Sequence, residues 1–545
     1  MGLGLFLATL LLTISVSAQV PVTVTVDVAA DRHPIDSRIY GVAFATAAQL
    51  SDLSVPTNRS GGNATTRYNW QDNASNRASD WFFESIGEKT GIAGGSADSF
   101  IADAKSAHSE AMITIPTIGW VAKLGPNRTN LASFSVAKYG IQQSTDFYMP
   151  DAGNGVRSDG SLVTGNNPND ANIPADAQFQ AAWVRHMVST WGEASSGGVR
   201  YYLLDNEPSI WFATHRDVHP EGARMDEVLE DMIAYAEAIK AVDASALVLG
   251  PEEWGWSGYF YSGYDQQWGA ANNWSSFPDR ESHGGRDYIP YLLQQLKAHQ
   301  DAGDVRLLDV LTVHYYPQGG EFSDDVSEAM QLRRNRSTRA LWDVNYKDES
   351  WIDDKVALIP RLRTWVNAFY PGTMTGITEY NWGAEKHING ATAQADILGI
   401  FGREAIDMAN RWTTPDSGTP AYNAIRMYRN YDGRKSAFGD VSVRATAPDP
   451  DTLSAFAATR TSDGALTVML VCKALSGDRV VTINVQNRAL TAPAQVWQLT
   501  SSNAIRRLSD ASPASSNTVI TVPPQSITLL LFPTADGSRR RAVNH

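Results

Sequence analysis

The chain has 545 residues, of which 43% are hydrophobic and 19% are charged, and its formal net charge is −14. This composition is that of a globular protein. The length is too great for one ordinary hydrophobic core, so we expect one large domain with a smaller one, or two comparable domains. The negative charge argues against nucleic acid or an anionic membrane as a partner and leaves neutral ligands open.

Residues 1–18, MGLGLFLATLLLTISVSA, combine a short apolar run with small residues before Gln19. They predict a secretory signal peptide that is cleaved after Ala18, and therefore a secreted protein. A membrane anchor is the alternative, although the run is shorter than the roughly 20 residues that a spanning helix needs. The single cysteine, Cys472, excludes a disulfide within the chain, and its apolar surroundings predict a buried structural thiol.

Short segments that alternate apolar and polar residues at both ends of the chain predict β-strands. One is VPVTVTVDVAA at residues 20–30, and beyond residue 440 the pattern returns in ALTVMLVCKA, VVTINVQN and SITLLLFP. These segments predict a β-sandwich whose first strand comes from residues 19–36 and whose remainder comes from residues 439–535. Residues 536–545 are expected to form a disordered tail.

Between these ends, residues 37–438 alternate apolar strands with longer helical segments. The eight candidate strands lie at 39–44, immediately before RSGGN at 59–63, and at 111–119, 199–207, 246–253, 308–316, 374–380 and 408–412. Eight strands with helical connections predict a (β/α)8 barrel, which residues 120–175 and 254–285 would enlarge as insertions.

Polar residues collect where these strands end, which is the face that carries the chemistry in such barrels. In strand order they are Arg59 and Asn63, Asn206 and Glu207, Glu252 and Glu253, His314 and Tyr316, and Glu379. One polar residue at a strand end is usually a solvated loop residue. A ring of them at one end of one barrel predicts a functional site.

Glu207 and Glu379 end the fourth and seventh strands and would face each other across the barrel mouth. Glycoside hydrolysis needs such a pair, one protonated to assist the leaving oxygen and one ionised to attack or to steer water. The Asn206 amide could bond a sugar 2-hydroxyl, and Trp211 could offer a flat face to a pyranose ring. Asp205 should point the other way along the strand and is expected to be structural.

The segments LLDNEPSIWFATHRDVHP, NRSGGNATTRYNWQDN, LGPEEWGW, VHYYPQGG and GITEYNWGAEKHINGATAQADILGIFGRE resemble glycoside hydrolase family 44, secreted endo-β-1,4-glucanases and xyloglucanases. The resemblance covers nearly the whole chain after residue 18. It implies a (β/α)8 barrel with an attached β-sandwich and a retaining mechanism, with Glu207 as acid/base and Glu379 as nucleophile. By analogy with related barrels, Tyr316 would hydrogen-bond Glu379 and Arg59 would hold it ionised. Ser60 departs from the family pattern, which tends to have an aromatic residue there.

The chain is rich in aromatic residues, with 16 tryptophans and 20 tyrosines. Aromatic faces stack on sugar rings, so the residues predicted to contact a neutral polysaccharide are Trp70, Trp120, Trp211 and Trp382. Packing in the core is the alternative for each of them.

Metal and cofactor sites are weakly indicated. His215 and His219 have helical spacing but lack a third ligand. Glu84, Asn167 and Asp170 offer oxygens to a hard cation, and related enzymes carry a structural calcium, whereas an ordinary Asx-rich turn explains residues 166–172 equally well. We expect no organic cofactor, and a monomer.

These observations predict a retaining endo-acting glycoside hydrolase that cleaves β-1,4-glucan chains such as cellulose or xyloglucan. A β-1,4-xylanase or a glucomannanase on the same scaffold is the enzymatic alternative, because paired acids and aromatic platforms would look alike. A polysaccharide-binding protein with a decayed barrel is the non-enzymatic alternative, and it would require the loss of an acid.

Overall fold

The structure is a computed structural model that describes residues 20–303 and 305–534. The predicted signal peptide at 1–18 and the predicted tail at 536–545 lie outside the described residues. Within the described part of the chain, every helix is too short or too polar to cross a bilayer.

Eight parallel strands form a closed barrel, which confirms the predicted fold. Barrel strands 1 to 8 are Gly41–Ala43, Thr57–Ser60, Glu110–Ile115, Tyr201–Leu204, Leu247–Glu253, Val310–Tyr315, Met374–Tyr380 and Met408–Arg411. Barrel strand 8 closes the ring by pairing Asn410 and Arg411 with Gly41 and Val42 of barrel strand 1. All eight overlap or adjoin the segments predicted from the sequence.

Helices surround the barrel and fill its loops. They are Ala47–Leu53, Gly95–Ser106, Val136–Tyr139, Ala177–Trp191, Trp211–Thr214, Met225–Val242, Trp256–Phe260, Gly263–Ala271, Pro278–Ser282, Tyr288–Gly303, Glu328–Ser337, Leu358–Phe369, Ile388–Arg403 and Pro420–Arg429. Local sequence sets their ends. For example, the Asp176 side chain accepts from the Phe179 amide at the start of Ala177–Trp191, and Gly192 ends that helix with a φ of 88°.

Alternate residues of barrel strand 6 show how the interior is layered. Val310 points into an apolar layer shared with Met112, Tyr201, Leu203, Leu249 and Met408. Two residues further on, Thr312 donates to the Glu252 carboxylate, and two further still, His314 bonds Glu207 at the mouth. The barrel is therefore apolar at its base and polar towards the C-terminal ends of its strands.

The long connections carry two small sheets of their own. One has four strands, Tyr68–Asn69, Ala74–Asn76, Glu84–Gly87 and Leu131–Ala132, and the other pairs Trp120–Ala122 with Asn172–Pro174. Both lie in the connections that follow barrel strands 2 and 3. These connections position several of the predicted site residues.

A second, all-β unit follows the barrel. Its strands are Val20–Asp27, His33–Pro34, Val441–Thr446, Leu453–Thr459, Leu466–Cys472, Arg479–Gln486, Ala494–Leu499, Arg506–Ala511, Pro513–Ala514, Asn517–Val522 and Ser526–Phe532. The N-terminal strand lies between Val441–Thr446 and Arg479–Gln486. This confirms that both ends of the chain build the β-sandwich, around an apolar core that includes Cys472.

The β-sandwich packs on helix Ile388–Arg403, which is buried along almost its entire length. Gly399 allows the close approach, since a β-carbon there would lie 2.2 Å from the Phe456 ring. The ammonium of Lys473 reaches across the same interface to within 2.7 Å of the Asp396 carboxylate, and both side chains are buried. Packing and a buried ion pair together hold the two units in a fixed orientation.

Candidate active site

The Glu379 carboxylate sits near the end of barrel strand 7 and is held on both oxygens. The Arg59 guanidinium lies 2.6 Å from Oε1, and the Tyr316 hydroxyl donates to Oε2 at 2.8 Å. Arg59 has no exposed surface, so its positive charge acts on Glu379 with little screening by water. Arg59 and Tyr316 are the two partners that the sequence analysis named for Glu379.

Glu207 follows barrel strand 4 and adopts a left-handed backbone conformation, with a φ of 51°. Residues other than glycine rarely adopt this region, and such strain concentrates at functional sites. The conformation places Oε1 of Glu207 2.9 Å from Nδ1 of His314. Pro208 starts a short 3₁₀ turn directly afterwards, so the chain leaves the strand at the acid.

The two carboxyl groups are close enough for direct attack at a bound sugar. One oxygen of Glu207, one oxygen of Glu379 and a ring nitrogen of His314 all lie within 4.8 Å of one another. Carboxyl groups about 5 to 5.5 Å apart are typical of retaining glycosidases, whereas a gap of about 6.5 to 9.5 Å is typical of inverting ones. The spacing therefore favours a retaining arrangement.

The surroundings of Glu207 favour its protonated form. Burial is the main cause that raises its pKa above the ordinary value, and the nearby charge of Glu379 adds to it. The charge of His314 opposes this rise but does not cancel it. A protonated acid beside a carboxylate held by Arg59 is the arrangement that acid-assisted cleavage requires.

Glu252 links the cationic groups beneath the two acids. Its Oε2 lies 3.0 Å from the Arg59 guanidinium and 3.2 Å from Nε2 of His314, and the hydroxyls of Thr312 and Thr378 also donate to this carboxylate. Burial raises the pKa of Glu252, but the charge of Arg59 and the bond from His314 outweigh it, so the net shift is downward.

His314 lies between Glu207 and Glu252, because its Nδ1 is 2.9 Å from Oε1 of Glu207 and its Nε2 is 3.2 Å from Oε2 of Glu252. Burial alone would lower its pKa, but the carboxylates of Glu379, Glu207 and Glu252 raise it to about 9. Glu207, His314 and Glu379 could in principle hold a divalent cation. The adjacent charges of Arg59 and protonated His314 oppose one by simple repulsion.

Replacing His314 with asparagine should move the basic limb of the pH profile to higher pH. Asparagine keeps a hydrogen-bond donor but removes the positive charge that lowers the pKa of Glu207, so Glu207 should keep its proton to higher pH. The measurement is kcat/KM against pH for both proteins. A basic limb that stays in place or moves to lower pH would show that His314 does not set this pKa.

A chain of hydrogen bonds fixes the Asn206 amide. Its Oδ1 accepts from the Gly62 amide at 3.2 Å, and its Nδ2 donates to Oδ1 of Asn63 at 3.3 Å. Asn63 in turn donates to the exposed carboxylate of Asp80 at 3.0 Å. Asn206 keeps one N–H for a substrate hydroxyl. Sequence reasoning missed Asp80, because nothing in its local pattern links residue 80 to the barrel mouth.

Asp205, which was expected to be structural, is buried next to this group. Its carboxylate accepts from the backbone amides of Thr117 and Ile118 in the connection after barrel strand 3. Burial raises the pKa of Asp205 to about 6 despite these bonds. Its visible role is to tie two neighbouring loops of the mouth together.

Two tryptophans predicted to stack on sugar lie in the interior instead. Trp211 is 1% exposed and donates from its indole N–H to the Asn206 carbonyl. Trp382 is 2% exposed and donates to the Ser337 hydroxyl. Because both rings are buried, they have no free face for a sugar, and the prediction that Trp211 and Trp382 stack on sugar is wrong. Trp211 instead steadies the backbone beside Glu207.

Trp70 and Trp120 are partly buried. The Trp70 indole donates to the Phe179 carbonyl, and its ring packs near Phe179 and His186 on helix Ala177–Trp191. Trp120 lies in the small two-stranded sheet and packs against the main core. Within the described residues, the contacts of both rings are with these packing partners and not with Glu207 or Glu379.

Among other aromatic residues, Phe322 and Trp81 are exposed and Trp412 is half-buried. Trp412 directly follows barrel strand 8, and its ring centre is 5.7 Å from the Arg59 guanidinium. Phe322 packs on Tyr316 and is 50% exposed. Trp81, next to Asp80, is 44% exposed. Trp412 was inside a predicted strand segment, whereas the positions of Phe322 and Trp81 depend on loop folding.

The predicted calcium ligands are only partly suited to a cation. Asp170 is engaged by the Lys138 ammonium and the Tyr139 hydroxyl, and the Asn167 side chain accepts from a backbone amide in its own turn. Glu84 is different, because one of its buried oxygens has no hydrogen-bond partner among the described residues. Burial and the neighbouring Asp146 raise the pKa of Glu84 to about 7.

Asp146 completes this feature, although sequence reasoning did not select it. It is 3% exposed, and its Oδ1 also has no hydrogen-bond partner in the described part of the chain. Two neighbouring buried carboxyls whose oxygens lack a partner within the described residues are suitable ligands for a hard cation. Glu84 with Asp146 therefore fits a hard cation, whereas Asn167 and Asp170 are committed elsewhere.

A (β/α)8 barrel with two close carboxyl groups on barrel strands 4 and 7 defines the class of barrel glycoside hydrolases. The family model of glycoside hydrolase family 44 matches residues 74–319. The chain is similar to CelM2, a bifunctional glucanase-xylanase protein from a metagenome library, with 63% identity, a TM-score of 0.94, and coverage of 95% of this chain and 100% of that one.

A xyloglucanase from family 44 of Paenibacillus polymyxa has 28% identity and a TM-score of 0.79, with 94% of this chain and 100% of that chain covered. Endoglucanase A of Paenibacillus lautus is 32% identical over 79% of this chain. The chain spans 36% and 61% of the lengths of the two curated relatives that it matches. The chain belongs to glycoside hydrolase family 44.

Proposed function

We propose that this protein is a retaining, endo-acting glycoside hydrolase that cleaves β-1,4-glucan chains, with Glu379 as nucleophile and Glu207 as acid/base. One observation carries the proposal. Oxygens of the two carboxyl groups lie within 4.8 Å of each other, with the Arg59 guanidinium 2.6 Å from Glu379 and burial raising the pKa of Glu207.

In the first step, Glu379 attacks the anomeric carbon as Glu207 gives its proton to the departing glycosidic oxygen. Oε1 of Glu207 accepts from His314, so Oε2 is the oxygen that carries the transferable proton. The bond to the leaving sugar breaks and an ester to Glu379 forms. The Asn206 amide is placed to support the sugar 2-hydroxyl as positive charge develops on the ring.

In the second step, the ionised Glu207 takes a proton from water, and the resulting hydroxide attacks the anomeric carbon to release Glu379. Glu379 carries no charge while it is esterified to the sugar. When water displaces it, it becomes a carboxylate again and regains its full interactions with Arg59 and Tyr316. Two inversions at one carbon retain its configuration.

The substrate class follows from the similar proteins and the exposed aromatic residues. Names printed for the similar proteins include glucanase, xylanase, xyloglucanase and endoglucanase. We therefore propose cellulose-type chains and xyloglucan as substrates, and the similarity to a bifunctional protein favours xylan as the second candidate. The glucomannanase and binding-protein alternatives remain outcomes of the experiment below.

The test is release of reducing sugar from xyloglucan, carboxymethyl cellulose, glucomannan and xylan by the wild type, Glu207→Gln and Glu379→Gln. We expect cleavage of the glucan chains by the wild type and loss of nearly all activity in both variants. A wild type that binds these chains without cutting them would support the binding-protein alternative. Full activity in either variant would overturn the assignment of the two acids.

We also propose that Glu84 and Asp146 bind a structural calcium ion, which would neutralise the two buried carboxylates. Adding 1 mM Ca²⁺ (roughly 100-fold above a Kd of about 10⁻⁵ M) to chelator-treated protein should stabilise it by about 2.7 kcal/mol. The measurement is Tm with calcium and with chelator. Glu84→Gln should lose the calcium-dependent rise, and an equal rise in that variant would contradict the site.

Export of the protein is a proposal that depends on residues 1–18. Cleavage after Ala18 predicts a mature chain that begins at Gln19. N-terminal sequencing of protein recovered from the medium of the native host tests it. A chain recovered only with membranes, and still starting at Met1, would favour the anchor.

A further inference from the structure

A cavity lies against barrel strands 2 and 3, beside the loop that follows Arg59. Its volume is about 320 Å³, and it is bounded by barrel strands 2 and 3, the first turns of helix Gly95–Ser106, and helix Ala177–Trp191. We call it the Ser75 pocket. The residues that matter for its chemistry are Phe44, Ser60, Ser75, Arg77, Phe100 and Trp183.

The Ser75 pocket combines aromatic walls with unused polar groups. Phe44, Phe100 and Trp183 form the apolar part of its lining. Ser75 is 6% exposed, and no hydrogen bond of its hydroxyl occurs among the described residues, although a buried hydroxyl normally has a partner. Ser60 also lines the pocket, and its hydroxyl makes no hydrogen bond in the described part of the chain, so two hydroxyl groups are available to a ligand.

A charged pair is part of the lining. The Arg77 guanidinium donates to the Glu88 carboxylate at 2.9 Å, and these side chains are 32% and 27% exposed. Each group has further hydrogen-bonding positions beyond this single bond. An ion pair that keeps both partners neutralised favours an uncharged, hydroxyl-rich ligand over an ionic one.

The size of the Ser75 pocket sets the size of its ligand. At about 320 Å³ it lies at the small end of the range for ligand pockets, which is about 300 to 1,000 Å³. Aromatic faces combined with a few hydroxyl and guanidinium groups are the usual lining for such rings. A single sugar ring fits this chemistry, whereas a polysaccharide backbone does not.

Only Gly61 separates the Ser75 pocket from the Arg59 guanidinium. Gly61 lines it, and a β-carbon on Gly61 would lie 2.2 Å from the Arg59 guanidinium that holds Glu379. At the exposed side, Phe44 packs on Trp412 with ring centres 5.6 Å apart, and Trp412 borders Arg59. A ring bound here would touch the wall of the substrate cleft.

We propose that the Ser75 pocket binds one neutral sugar ring, either a branch on the bound glucan or a free monosaccharide. This inference rests on the proposed function for the branch but not for the free sugar. The bound ring would pack on Phe44 and Phe100 and hydrogen-bond the hydroxyls of Ser60 and Ser75. A bound branch would raise kcat/KM for branched chains, and a bound free sugar would change the rate at which chains are cleaved.

Two variants distinguish the effect of filling the pocket from the effect of removing the Ser75 hydroxyl. Ser75→Leu places a bulky side chain in the cavity, and Ser75→Ala removes only the hydroxyl. Ser442→Ala is the matched control, because Ser442 is a buried serine of the β-sandwich, 4% exposed, whose hydroxyl likewise makes no hydrogen bond within the described residues. Equal Tm values and equal kcat/KM on a linear cello-oligosaccharide establish that each variant is folded.

The first arm is calorimetric titration of D-xylose and D-glucose into the Glu379→Gln protein with and without each Ser75 change. The second arm compares kcat/KM on two oligosaccharides of the same backbone length, one xylosylated and one linear. The quantity reported is the xylosylated value divided by the linear value. Loss of saturable binding in Ser75→Leu supports the free sugar. A fall in the ratio of about tenfold or more in Ser75→Leu, and less in Ser75→Ala, supports the branch.

The proposal is overturned if the wild-type pocket binds neither sugar and the ratio is unchanged in Ser75→Leu. Failure of the proposed function has a different signature, since no oligosaccharide would then be cut by the wild type. In that case calorimetry alone decides, and absence of binding to both sugars would still overturn the pocket.

Discussion

Glu379→Ala is expected to lose about 10⁴- to 10⁶-fold in kcat, and azide is expected to restore turnover of an activated aryl β-glycoside as an α-glycosyl azide. The loss follows because alanine removes the carboxylate that contacts Arg59 and Tyr316. Alanine leaves a space that a small anion can enter beside Arg59. Azide then attacks once, so the configuration at the anomeric carbon inverts.

The matched variant, Glu207→Ala, should behave differently under the same conditions. With Glu379 intact, an activated substrate that needs no acid still forms the glycosyl ester, and azide replaces water in the second step. The product should be the β-glycosyl azide. The same azide anomer from both variants, measured by NMR, would mean that the two roles are not divided as proposed.

Glu252→Gln is expected to lower the free energy of unfolding by about 3 to 5 kcal/mol and to reduce kcat by about 10²-fold. The substitution keeps the shape of the side chain but removes the negative charge between Arg59 and His314. Two buried cations would then face each other with less compensation. The measurements are chemical denaturation and steady-state kinetics on a soluble glucan.

Glu253→Gln supplies the matched control at the neighbouring position. Glu253 is as buried as Glu252, but burial raises its pKa to about 8, so it is mostly neutral at pH 7 and glutamine removes little charge. We expect a change of about 1 kcal/mol or less and near-normal activity. Similar losses for the two variants would show that burial, and not the charge network, explains the effect of Glu252.

The barrel and its two acids were predictable because both depend on local pattern and on chain order. Apolar strands that end in polar residues indicate a (β/α)8 barrel, and the fold then places Glu207 and Glu379 at one mouth whatever lies between them. The same logic brought Arg59, His314 and Tyr316 to the site. The central position of Glu252 was less evident, because a bulge in barrel strand 5 alters the register there.

The aromatic platforms were harder to predict, because the direction of a ring after a strand depends on the turn that follows. The 3₁₀ turn Pro208–Ile210 rotates Trp211 inward, where its indole N–H finds the Asn206 carbonyl. Trp382 is buried against Tyr315 in the same manner. Exposure of Trp81 and Phe322 instead reflects loops whose course is set by tertiary contacts.

Long-range hydrogen-bonding partners were also beyond the reach of sequence patterns. Asp80 meets Asn63 across a connection of 17 positions, and Asp146 meets Glu84 across a longer one. The Ser75 pocket forms only where two helices pack against two barrel strands. None of these features has a periodicity or a spacing that identifies it, because each depends on how separate elements pack.

The configuration of the first product tests the central claim most directly. Wild-type protein is mixed with a soluble β-1,4-gluco-oligosaccharide, and ¹H NMR follows the newly formed reducing end before mutarotation. The spacing of Glu207 and Glu379 predicts that the β anomer appears first. Initial release of the α anomer would contradict a retaining mechanism and the division of roles between the two acids.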